Sequence, residues 1–259
     1  MSNLRAFERD STQYAFYKQQ HANQTVDFVR SKLDKYKRLD NCKLKMADAL
    51  DMLDSFVDPS DPDVNETNSY HAYQTANHIR LSEPDNLDLQ ITGLIHDVGK
   101  ILYRFGEPTW AVVGDTFPVG CAYSQNIVFH ETLRDNPDYD NPTYQSKYGI
   151  YGKNAGLENL LMSFGHDEYL HIVLKGNSDR HHLPEKFLKV IRFHSFYPWH
   201  THGDYAHLMS DSDSALLIDV QEFNKHDLYS KEDDFQLTPE IKGYFRDLLM
   251  RYFPVELSW

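Results

Sequence analysis

An all-α fold, a helical bundle interrupted by an irregular lid region, is predicted by three features of this 259-residue sequence. Apolar residues recur at helical spacing in one segment after another. Several of those segments open on a capping residue or a proline and stop near glycine or proline. The one long stretch without such a period, from about 107 to 152, carries Gly114, Pro118, Gly120, Pro137 and Pro142. The length lies at the upper end of what one core holds, so we expect an N-terminal arm over residues 1–23 and a single domain over 24–259. Hydrophobic residues make up 41% of the chain and aromatic residues 14%, which suits a well-packed interior.

Residues 1 to about 20 are polar and mixed apart from Tyr14, Phe16 and Tyr17, and read as an arm lying on the body. Gln24 to Lys35 reads as a helix with Val26, Val29 and Leu33 on one face, and Leu44, Ala47, Leu50 and Leu53 repeat that spacing. The aperiodic run from Asp58 to Asn68, with two prolines, is a turn-rich loop. Asn68 or Ser69 caps a helix through about Ser82 that places His71, Thr75 and Ile79 on one face. The next helix is expected from about Leu87 to Phe105, striped by Leu94, Val98, Ile101, Leu102 and Phe105 and stopped by Gly106 and Pro108. After the lid, Gly156–Phe164 reads as a short helix, and His166-Asp167 opens another through about Lys175. Pro184 begins a helix with Phe187, Val190, Ile191 and His194 on its buried face. Leu216, Val220 and Phe223 mark a helix from about Ser214 to Tyr229, and Asp227 continues their stripe. Thr238 and Pro239 start the last one.

The formal charge of −13 argues against a nucleic-acid or anionic-membrane partner, which would demand a basic surface built against the overall field. With no run of 18 apolar residues and no signal-peptide pattern, a cytoplasmic protein is expected. Cys42 and Cys121 are too few for a disulfide scaffold and too isolated for a thiolate site, so any metal here has nitrogen and oxygen ligands.

Such ligands are present. The apolar stretch Gly93-Leu94-Ile95-His96-Asp97-Val98-Gly99-Lys100 puts an imidazole, a carboxylate and an amine where core should be, and burying them without partners costs several kcal/mol. His71, His166, His194 and Asp227, each in its own segment, supply partners. Four imidazoles and two carboxylates suffice for two metal ions, and this ligand set suits iron, manganese or zinc. Asp115, between Gly114 and Thr116, is the most conspicuous acid of the lid.

The order His71, His96-Asp97, Asp227 resembles the signature of the all-helical HD-domain superfamily. The longer blocks NSYHAYQTA, GLIHDVGKILYRFGEPTWAVVGDTFPVGC, LLMSFGHDEY, VIRFHSFYPWH and EFNKHDLY resemble the myo-inositol oxygenase family, from about Gln24 to Trp259. The resemblance implies a mixed-valent Fe(II)/Fe(III) pair, with His71, His96 and Asp227 on one iron, His166 and His194 on the other, and Asp97 bridging. It implies O2-dependent ring cleavage of myo-inositol to D-glucuronate, and substrate contacts at Asp58, Ser60, Lys100, Gly114, Asp115 and Ser195, with Arg5 as a further candidate. Lys100 would also be catalytic, neutralising or transferring charge at a substrate oxygen. A monomer is expected. The rival reading, a metal-dependent phosphohydrolase, fits less well: Asp58 and Asp115 would face the phosphate with only Lys100 against them.

Overall fold

A computed structural model describes residues 11–56, 58–60, 67–229 and 235–259. The architecture is all-α, with one two-stranded ribbon among the described residues. Helix α1 (Thr12–Asn23) begins where an arm was expected: Ser11 caps it by accepting a hydrogen bond from the Tyr14 N–H at 3.2 Å. Its buried face is Phe16, Tyr17, Gln20 and His21. Half of that face is polar, so no apolar period betrays the helix.

Helix α2 (Val26–Tyr36) is capped by Thr25, which leaves Gln24 outside it. The buried Gln24 amide donates to the Phe164 carbonyl and accepts from the Phe164 N–H, both at 2.8 Å, and so satisfies both backbone groups of a residue 140 positions away. Strand β1 (Lys43–Leu44) pairs antiparallel with β2 (Leu257–Ser258), and the fully buried Trp259 donates its indole N–H to the Leu44 carbonyl. The last residue of the chain is thereby locked into the core.

Helix α3 (Met46–Met52) runs into a short 3-10 turn, and α4 (Asn68–Ser82) is capped by Thr67, one residue before the expected cap. That shift releases the Asn68 side chain for another contact. Helix α5 (Leu87–Ile95) packs along α4. The single helix expected over 87–105 is instead two elements, because after Ile95 the backbone tightens into a 3-10 helix over Val98–Phe105. Gly99 supplies the reason: a Cβ there would lie 2.1 Å from the His166 carbonyl oxygen, so the two backbones meet directly at this point.

The helix expected over 156–164 is also absent. A 3-10 turn covers only Leu157–Asn159, after which the chain runs extended and bonds to the lid: Val119 N–H to the Leu161 carbonyl at 2.8 Å and Ser163 N–H to the Phe117 carbonyl at 2.7 Å. The lid region itself is ordered and partly buried, with Val112, Val113, Phe117, Val119 and Cys121 in the core. Helices α6 (His166–Gly176), α7 (Glu185–Phe193), α8 (Tyr197–His200), α9 (Asp213–Tyr229) and α10 (Pro239–Tyr252) complete the bundle. One continuous apolar cluster runs from Phe16 to Trp259. No described helix is long and apolar enough to cross a membrane.

Candidate metal centre

The break between α5 and the 3-10 helix falls at His96 and Asp97. The tightened backbone turns both side chains towards the same point and brings Gly99 against His166, the first residue of α6. His71 comes from the first turn of α4, His194 from the C-cap of α7, and Asp227 from the last turn of α9. All six predicted ligands meet. Donor atoms gather into His71–His96–Asp227, His96–Asp97–His194 and His166–Asp167–His194, each group within 4.8 Å.

Which nitrogen each imidazole presents follows from its backbone contacts. The Nδ1 atoms of His96, His166 and His194 lie 2.8, 3.0 and 2.7 Å from the carbonyls of Gly93, Val112 and Ile191. A carbonyl can only accept, so Nδ1 carries the proton and Nε2 offers its lone pair inward, the arrangement usual for metal-binding histidines. The inward Nε2 atoms face carboxylates. Asp227 Oδ1 is 2.9 Å from His71 and 3.3 Å from His96. Asp97 divides its oxygens: Oδ2 lies 3.6 Å from His96, whereas Oδ1 lies 3.2 Å from His166 and 3.9 Å from His194. Donors about 2.0–2.1 Å from a shared ion sit roughly 3 Å apart, so these spacings suit cations between them.

The electrostatics agree. Burial opposes charge on His71, yet the hydrogen bond and charge of Asp227 outweigh it and raise the pKa. His194, equally buried, is carried up to about 9 by Asp167 and the other acids. Burial disfavours the Asp97 carboxylate, but Lys100 and His96 hold its pKa well below the usual range, and His96 and His71 do the same for Asp227. The acids thus create a negative field that protons partly compensate and that bound dications would compensate more fully. His71 Nδ1 is buried with no hydrogen-bond partner, which marks this rim of the centre as incomplete. The residues present therefore fit a pair of metal ions with nitrogen and oxygen ligands.

Lys100 stands beside the centre. Its Nζ lies 2.8 Å from both Asp97 Oδ2 and Asp58 Oδ2 and donates to Asn68 Oδ1 at 3.2 Å. Although burial works against its charge, the two acids raise its pKa, so it remains an ammonium. Ser60 donates to Asp58 Oδ1 from its backbone at 2.9 Å and its hydroxyl at 2.5 Å. Ser195 donates to Asp167 Oδ1 at 3.3 Å, and its carbonyl accepts from the Thr116 N–H at 3.0 Å, which ties the Gly114-Asp115 turn to the centre. The positive φ of Gly114, +95°, suits a residue without a side chain, and its neighbour Asp115 accepts from the Tyr17 hydroxyl at 3.0 Å. Arg5 lies outside the described residues.

Three further residues take roles around the centre that the sequence alone left open. Asp167 accepts from His194 Nδ1 at 2.9 Å and so orients that ring, and the same oxygen lies 3.1 Å from His166 Nε2. Asn68 bonds Lys100 instead of capping a helix. His200 is buried and, with Asn224, donates to the His194 carbonyl at 2.9 Å. Their only local signal was proximity in sequence to a candidate ligand.

Residues 10–259 match the sequence profile of myo-inositol oxygenase. The chain is 48% identical to an inositol oxygenase of Danio rerio, covering 94% of this chain and 87% of the relative. Identity to the human inositol oxygenase is also 48%, over 95% and 86% of the two chains. Inositol oxygenase 1 of Arabidopsis thaliana is 47% identical over 94% of this chain and 79% of its own length. A match that spans both halves of the centre, from the helix bearing His71 to the one bearing Asp227, has one meaning: the chain belongs to the myo-inositol oxygenase family.

Proposed function

We propose that this protein is an inositol oxygenase that joins one O2 to myo-inositol, opens the ring to D-glucuronate and releases water, a four-electron oxidation that needs no external reductant. Family membership supports the reaction, and one observation carries its assignment to this site: Asp97 sends one oxygen to His96 and the other to His166 and His194, while an ammonium stands at its edge. His71, His96 and Asp227 would hold one iron, His166 and His194 the other, and Asp97 would join them. The mixed-valent pair would supply O2 activation and Lewis acidity towards the hydroxyls of the polyol.

The remaining chemistry belongs to the chain. Lys100, kept protonated by Asp58 and Asp97, acts as a hydrogen-bond donor and fixed positive charge at a substrate oxygen, not as a base. Asp58 and Ser60 accept and donate to hydroxyls on the same side, and Asp115 and Ser195 receive those on the other. A ring with six hydroxyls needs such a surround, since each buried hydroxyl left unmatched costs about 1–3 kcal/mol. The acids around Lys100 favour this neutral polyol over a phosphate ester.

The test is oxygen uptake by the iron-loaded, partly reduced enzyme with myo-inositol. Consumption of O2 in equal amount to glucuronate formed is the expected result, and phosphate release from a nucleotide without O2 uptake would replace the reading with the hydrolase. In parallel, His194→Ala is expected to lose turnover and at least one bound iron. Full activity in that variant removes His194 from the ligand set.

A further inference from the structure

Helices α4 and α9 carry a second cluster of metal-binding side chains, near the C-terminal end of α4. His226 and Glu222 are one turn apart on α9, and Glu83 is the C-cap of α4; each brings a donor atom within 4.8 Å of the other two. His226 Nε2 lies 3.3 Å from Glu83 Oε1, the separation of two donors each about 2.0 Å from one tetrahedral ion. The opposite nitrogen of the same ring, Nδ1, is 3.1 Å from Nδ1 of His78 on α4. That contact fixes the ring as the outer hydrogen bond of a metal-binding histidine commonly does.

The second observation is a buried ring nitrogen. His226 is only 6% exposed, and its Nε2, 3.3 Å from Glu83 Oε1, is buried without a well-formed hydrogen bond. A buried donor or acceptor in that condition calls for an explanation, and an ion between Nε2 and the carboxylates provides one. Glu83 is already oriented: its other oxygen accepts from the Asn86 amide at 2.9 Å, which leaves Oε1 turned to the histidine. Lys225 pairs with Glu222 Oε2 at 2.6 Å but is 61% exposed, so it swings into water at little cost when a dication takes the carboxylate.

We propose that Glu83, Glu222 and His226, with His78 orienting the ring, form a second site for a divalent first-row transition ion of the zinc class. One imidazole and two carboxylates suit such an ion, and the half-exposed glutamates leave a position open for water. The ion links the C-terminal end of α4 to α9, the two helices that deliver His71 and Asp227 to the centre. It is distinct from the iron pair, and neither Glu83 nor Glu222 touches a residue of that centre in any contact described above.

The experiment starts from the iron-loaded enzyme. Equilibrium dialysis against zinc, followed by elemental analysis, is expected to find one zinc per chain with the iron content unchanged and with a higher melting temperature. The double variant Glu83→Gln/Glu222→Gln, both positions partly exposed, should fold and turn over normally yet lose the zinc and the thermal shift. His78→Phe should weaken zinc binding about tenfold. Cobalt(II) in place of zinc should give the intense visible absorption of a low-coordinate ion in the wild type alone. The proposal is overturned if the wild type retains no zinc, if zinc replaces iron one for one, or if the double variant binds zinc as well as the wild type does. The last result would move the ion to another histidine group, such as His181-His182.

Discussion

Lys100 is a buried cation set 2.8 Å from each of two buried acids, and its removal leaves those acids without compensation. Breaking a buried pair by deleting one partner costs about 3–5 kcal/mol, so Lys100→Met is expected to lower the melting temperature markedly and to abolish oxygen uptake. Adding Asp58→Asn to that variant removes one of the stranded charges. The double variant should recover part of the stability in thermal melts and none of the turnover, which separates the structural role of the ammonium from the catalytic one proposed for it. Tyr17 acts at the same scale on the opposite side. Tyr17→Phe deletes the hydroxyl that donates to Asp115 Oδ1, and loosening the carboxylate proposed to receive substrate should raise KM several-fold while changing kcat less. Steady-state kinetics with myo-inositol reads the split directly.

Among the elements, the join between α5 and the 3-10 helix has the largest consequence, because four residues around it build both the centre and its approach. An unbroken α-helix over 87–105 would keep Gly99 away from α6 and could not turn His96 and Asp97 as observed. Gly99→Ala places a methyl 2.1 Å from the His166 carbonyl oxygen, so one of the two backbones must shift. Overpacking of this kind costs about 1–3 kcal/mol, and here the displaced segment carries a predicted iron ligand. Iron content by elemental analysis should therefore fall more sharply than the helical signal in circular dichroism. Equal retention of iron would show that the close approach is packing alone.

Across the whole molecule, buried neutral histidines contribute to the loss of stability in acid. His21, lowered to about 3 by burial and then by His130, and His171, lowered to about 4 by burial and then by Arg192, have folded pKa values below the ordinary 6.5. The unfolded chain therefore binds their protons first. Their contribution to stability is complete above pH 6.5 and is lost as pH falls from 6.5 towards about 4 for His171 and about 3 for His21. At pH 5 each accounts for a loss on the order of 2 kcal/mol. Melting temperatures of the iron-loaded protein from pH 7 to 5 should drop, and the slope should be shallower in His21→Gln/His171→Gln. An unchanged slope would assign the acid loss to the centre instead. Much of this molecule was legible in its sequence. Apolar spacing marked α2, α7 and α9, Thr238 and Pro239 marked the start of α10, and six ionisable side chains set into apolar stripes announced a centre, because such groups cannot stay buried without partners. The tertiary structure decided the rest. Helix α1 was hidden because Gln20 and His21 share its buried face, and 160–164 run extended because their backbone groups bond Phe117, Val119 and Gln24. The division of Asp97 between its histidines, the orienting of His194 by Asp167, and the grouping of Glu83 with His226 all join residues far apart in the chain or on different elements. Local periodicity records which face of a segment is buried; only the packing of one segment on another determines which atoms meet there.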